Sequence, residues 1–136
     1  GGGIYDRGDI ILGEFVSIPV HFSLNAVLKK DGRVNGHIVV KDPILDVMGM
    51  IDCVRVYNEN AAEVSGTLTK VKSTIYPKFF YVGARFSFSL RIDDIDQIYP
   101  GYVSGLDPIG NEEDCTTPGP NYNIYAVTNG NIKIKL

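Results

Sequence analysis

The chain has 136 residues, 44% hydrophobic and 21% charged, which describes one ordered globular domain able to bury a continuous core and excludes a disordered chain. A net charge of -3, with lysines scattered rather than clustered, excludes a nucleic-acid partner, because phosphate binding needs a basic stripe. No apolar run approaches the roughly 20 residues of a helical membrane span, so no membrane span is expected.

Residues 1–13 open the chain as an arm, with the domain proper over 14–136. The Gly1-Gly2-Gly3 start without methionine has the pattern of a cleaved or engineered terminus. Behind it stand Ile4 and Tyr5, then charged Asp6, Arg7 and Asp9, then the apolar patch Ile10-Ile11-Leu12. A glycine-rich terminus frays unless something holds it, and an apolar patch behind a polar start suits a strand that adds to an exposed sheet edge. Strand addition of this kind is head-to-tail, so it yields a homo-oligomer or, if the rotation does not close, a filament.

From Phe15 to Leu28 the residues alternate. Val16, Ile18, Val20, Phe22, Leu24, Ala26 and Leu28 share one parity; Ser17, Pro19, His21, Ser23 and Asn25 share the other. This is a long β-strand with one dry and one wet face. Lys30-Asp31-Gly32 turns the chain into a second strand, 33–41. Matching the dry faces puts Leu28 opposite Val34, Asn25 opposite His37 and His21 opposite Lys41, with Gly32 at the turn position that prefers positive φ.

Asp42-Pro43 is expected to stop the ladder, with a crossing over 44–49. Residues 50–57 and 61–70 then form a hairpin around Asn58-Glu59-Asn60, with Val54 facing Val64, Val56 facing Ala62 and Arg55 facing Glu63. Residues 71–78 read as a loop and 79–92 as a second long alternating strand. The irregular region 93–121 carries seven acidic residues and four prolines. A loop of that length is functional or pinned. Asn129-Gly130, between alternating segments 123–128 and 131–136, is a hairpin signal that would set Tyr125 and Val127 against Ile134 and Ile132. The fold class is therefore all-β, a single antiparallel barrel or barrel-like sandwich of seven to eight strands joined by hairpins.

Five segments, His21-Phe22-Ser23-Leu24-Asn25-Ala26, Gly32-Arg33-Val34-Asn35-Gly36-His37-Ile38, Cys53-Val54-Arg55-Val56, Asp114-Cys115 and Gly130-Asn131-Ile132-Lys133-Ile134, occur in the order in which similar segments occur in the post-COAP family of secreted β proteins, which this chain resembles over residues 21–134. It departs from the family at Asn58-Glu59-Asn60 and at Asp93-Asp94-Ile95-Asp96. The resemblance implies secretion to the extracellular space or cell surface, a β-barrel and a Cys53 to Cys115 bond. It brings no known activity.

Taken by themselves, Cys53 and Cys115 fit a disulfide, separate buried thiols or half of a metal site. Their spacing matches no zinc pattern, and the other soft ligands are His21 and His37, which the hairpin register holds apart. A disulfide is the expectation. Asp93, Asp94 and Asp96 are the candidate calcium ligands, the only cofactor suggested, although their spacing is not that of an EF-hand and a solvated acidic loop is the plainer reading. Ser104, in Gly101-Tyr102-Val103-Ser104-Gly105, matches no nucleophile elbow. Tyr76, Tyr81, Tyr99, Tyr102, Tyr122 and Tyr125 are the material for recognition, with Tyr99, Tyr102 and Tyr122 the candidate ligand contacts, because stacking on a sugar or a partner needs rigid amphipathic rings. Loop packing is their plain alternative.

Nothing in the chain forms a recognisable catalytic constellation, so the protein is not expected to be an enzyme. The reading is an extracellular structural or adhesive module, with a barrel that binds a carbohydrate or small ligand as the alternative. A hollow interior would favour the ligand barrel. A filled interior with a strand edge left over would favour the subunit.

Overall fold

In the computed structural model, which describes residues 2–11, 13–58, 60–92, 101–116 and 125–131, every regular element is a β-strand. In chain order these are β1 (Gly2–Ile11), β2 (Glu14–Leu28), β3 (Val34–Asp42), β4 (Leu45–Asn58), β5 (Ala61–Thr74), β6 (Arg85–Arg91), β7 (Gly101–Val103), β8 (Asp107–Ile109) and β9 (Tyr125–Asn131). All their pairings are antiparallel. Strands β1 to β6 follow one another around the sheet, β7 and β8 share one edge of β6, and β9 links β7 back to β1. The result is a barrel of eight strand positions with one seam left unsealed.

The dry faces fill the interior. Val20, Ile38, Val40, Val47, Val64, Leu68, Phe86, Phe88, Val103 and Val127 are essentially inaccessible to solvent. Phe22 of β2 reaches across to Phe88 of β6 with ring centroids 5.4 Å apart, so the two alternating segments that dominate the sequence meet in the core. Apolar burial on this scale is the main favourable term of folding.

Both early hairpins have the register that parity demands. Leu28 lies opposite Val34, Asn25 opposite His37 and His21 opposite Lys41. Gly32 takes φ +87°, and its amide donates to the Lys29 carbonyl at 3.0 Å. In the β4–β5 pair, Val54 faces Val64, Arg55 faces Glu63 and Val56 faces Ala62.

Four expectations give way to the structure. The segment read as an arm is a barrel strand: Gly2–Ile11 pairs with Glu14–Ser23 along its whole length, and Tyr5 lies in the core, 2% exposed. The crossing over 44–49 is absent. Pro43 and Ile44 make a tight turn instead, because the Asp42 carboxylate accepts the Ile44 amide at 2.7 Å and lets Leu45 pair straight back with Asp42. The second long strand begins only at Arg85, since 75–84 folds into turns that push Phe80 into the core and need Gly83 at φ +96°. Finally, Asn129-Gly130 is not a turn. The strand β9 runs straight through it, pairing Asn129, Gly130 and Asn131 with Ile4, Gly3 and Gly2, so sheet pairing overrides the local turn preference. Ile132 and Ile134 lie outside the described residues.

Candidate functional site

Among the described residues, two clefts are lined by polar side chains. The first is a cavity of about 180 Å³, lined by Tyr5 of β1, Val40 and Asp42 of β3, Leu45 of β4, the link residues 104–106, Asp107 of β8 and Tyr125 of β9. Its residues come from both ends of the chain because β1 and β9 are neighbours. At about 30 Å³ per water, that volume holds about six waters, or one small polar molecule.

Each wall has its own reason. Tyr5 and Tyr125 stack with centroids 5.5 Å apart and planes inclined by 27°, presenting aromatic surface to the cavity. Between β7 and β8 the chain breaks step at Gly105, whose φ of +80° favours glycine and whose Cα faces the Tyr5 hydroxyl and the Tyr125 ring. The Ser104 hydroxyl stabilises this break: it accepts the Ser89 amide at 2.9 Å and donates to the Gly105 carbonyl at 2.9 Å. These two bonds tie the Ser104 hydroxyl to the backbone around the break.

Asp107 is the least satisfied group of the lining. Its Oδ2 is buried and has no hydrogen-bond partner. Burial raises its pKa to about 7, the Ser104 hydroxyl works in the opposite sense, and the negative charge of Glu63 adds to the rise. Near neutral pH this carboxyl therefore exists in both forms and can accept or donate a hydrogen bond. Asp42, 8% exposed, supplies a second carboxylate, one oxygen of which holds the Pro43-Ile44 turn.

The second place surrounds a largely buried disulfide, where Cys53 of β4 bonds to Cys115 with their Cα atoms 5.8 Å apart. The Cys115 amide donates to the Ser65 hydroxyl at 2.8 Å. Arg85 then ties the segment to the barrel wall, pairing with Asp52 and donating to the Glu113 carbonyl at 3.2 Å. A shallow cleft lined by Asp52, Arg85 and residues 111–114 results, and its one cation is already engaged.

The other residues singled out from sequence scatter. His21 and His37 point outward, opposite Lys41 and Asn25 respectively, and share no ligand site. Tyr102 sits half-buried on β7 opposite Arg91, away from the cavity. Tyr99, Tyr122, Asp93, Asp94 and Asp96 lie outside the described residues, as do Leu12 and the side chains of Ile10 and Ile11. Among the described residues no three His, Cys, Asp or Glu side chains converge as metal ligands, and no helix is long and apolar enough to cross a membrane.

The cavity is not legible in the sequence, because Tyr5 stands in the glycine-rich start and Asp107 in the irregular acidic region 93–121. The signal present was local: Ser104-Gly105-Leu106-Asp107-Pro108 places a lone carboxylate just after a glycine break and between apolar neighbours. Comparison with protein-family models, with curated proteins and with solved structures finds no match to the chain.

Proposed function

We propose that this protein is a secreted binding module, not a catalyst, that takes one small polar group, of the size and hydroxyl content of a single sugar residue, into the cavity beside Tyr5, Asp107 and Tyr125. The observation that supports this is Asp107: a buried carboxyl oxygen without a partner, beside an aromatic wall, costs free energy unless something bonds to it. A ligand hydroxyl would satisfy that oxygen while its C–H face packs on Tyr125. The Cys53–Cys115 bond supports an oxidising, extracellular setting.

The test is an amide-resolved NMR titration with a panel of neutral mono- and disaccharides. Shifts confined to 104–107 and 125–127, lost in Tyr125→Ala and weakened in Asp107→Asn, are expected. If no sugar in the panel moves these amides, the reading fails.

A structural or adhesive subunit is the second reading, favoured by the barrel interior being filled with Phe22, Phe86 and Phe88. Deleting the first strand cannot test it, because β1 belongs to the barrel. Sedimentation over a wide concentration range can: a subunit forms rings or fibres, and a monomer throughout removes this reading.

A further inference from the structure

The connection between β5 and β6 is apolar on the outside as well as the inside. Tyr76 and Phe80 turn inward, Phe80 being 8% exposed, and fix the segment to the core. Ile75, Phe79, Tyr81 and Val82 turn outward and are 52%, 55%, 47% and 65% exposed. Four large apolar side chains within eight residues at one end of the barrel form a patch that a freely soluble surface avoids.

The patch is held in shape. The amides of Phe79 and Phe80 donate to the Tyr76 carbonyl at 3.1 and 3.0 Å, and the Ala84 amide donates to Tyr81 at 2.9 Å. Gly83 and Leu68 join the segment to β5, and the Ile75 amide donates to the Ile44 carbonyl at 3.2 Å. The side chains are therefore displayed by a backbone already ordered, with little further entropy to lose on contact.

Its surroundings are basic although the chain carries a net charge of -3. Lys70 and Lys72 are exposed on the last turn-ward stretch of β5, Lys78 is exposed within the segment, and Lys41 is exposed at the end of β3. Asp46, opposite Lys41 and Ser73, is half-buried and offsets one of them.

We propose that residues 75–82 dock this protein on an anionic phospholipid bilayer. Phe79, Tyr81 and Val82 enter the boundary between headgroups and acyl chains, where amphipathic aromatic rings are favoured, while Lys70, Lys72 and Lys78 meet the headgroup phosphates. The charge pattern singles out this partner. A two-fold contact between this patch and its copy would set the lysine collar against an identical collar and gain nothing from it.

Co-sedimentation of the full chain with vesicles of phosphatidylcholine alone, and of phosphatidylcholine with phosphatidylserine, tests it. Binding to the mixed vesicles only, weakened by salt, is expected. The pair Phe79→Ser and Val82→Ser should lower the partition coefficient by at least about tenfold, from lost apolar burial. Lys70→Glu with Lys72→Glu should lower it by a similar factor or more, since each lysine near the surface contributes about fivefold. All four side chains are exposed, so the variants should melt with the parent; the lysine pair, on an ordered strand, serves if the loop pair does not fold. Equal partition into both kinds of vesicle, partition unchanged in both variants, or self-association that the loop variants abolish without any lipid binding would each overturn the proposal.

Discussion

From Glu14 to Thr74 the chain is a meander of strands nine to fifteen residues long, each paired with the strand before it. From Ile75 to Asn131 the described strands are three to seven residues long. The first half specifies itself through local ladders, where parity and turn chemistry act between neighbours in sequence. The second half relies on anchors: Phe80, Phe86 and Phe88 in the core, the disulfide, and β1 receiving β9. Both candidate binding regions fall in or against this second half, where backbone irregularity leaves space for a cavity and a displayed loop.

The largest test of that contrast removes residues 1–12. Because β1 bridges β2 and β9, the truncated chain should lose its cooperative melting transition altogether, as followed by near-ultraviolet circular dichroism. A truncated chain that still melts cooperatively would make the meander autonomous. The next effect is on the disulfide anchor. Cys53→Ala with Cys115→Ala opens a cross-link with a sequence separation of 62, and in the chain-entropy model the loss is about 4 kcal/mol by denaturant titration.

Asp107 sharpens the contrast through pH. Its folded pKa of about 7 lies above the ordinary carboxylate value, so the folded state binds its proton more tightly than the unfolded one. Its contribution to stability is fully present below the unfolded value near 3.8 and is lost as pH rises through about 7. The melting temperature should therefore fall between pH 5 and pH 8, and Asp107→Asn should flatten that fall and leave the variant the more stable of the two at pH 8. A ligand seated at the cavity should reduce the same slope.

The smallest effect belongs to the meander's outer face. Arg55 lies across from Glu63 and over the ring of Tyr57 at 4.7 Å, and the Tyr57 hydroxyl donates to Glu63 at 3.0 Å. Burial and the bond to Glu63 raise the Tyr57 pKa. A double-mutant cycle of Arg55→Ala and Glu63→Ala should give a coupling of about 0.5 kcal/mol or less, as exposed cross-strand pairs do. A larger coupling would show anchoring in the meander too.

The same division explains what could be read from the residues. The β2–β3 and β4–β5 registers were legible because a one-residue slip would turn every apolar side chain outward, and Gly32 marks its own turn. Alternation over 79–84 misled because Phe80 faces inward whether the backbone is a strand or a run of turns. Asn129-Gly130 misled for a different reason: β1, its partner in the sheet, is more than a hundred residues away, and no local pattern announces that pairing. The cavity was illegible on the same ground, since Tyr5 and Asp107 become neighbours only through that closure.

Closure by the most distant pair in the chain also sets the order of events during synthesis. The ladder from Gly2↔Asn131 to Tyr5↔Val127 joins the first strand made to the last described one. While a ribosome is still supplying residues, β1 and β2 can form a hairpin, but the far edge of β1 waits for β9. The β1–β9 ladder therefore forms only after β9 has been made, and this slow, long-range step is the one most open to capture by another unfinished chain.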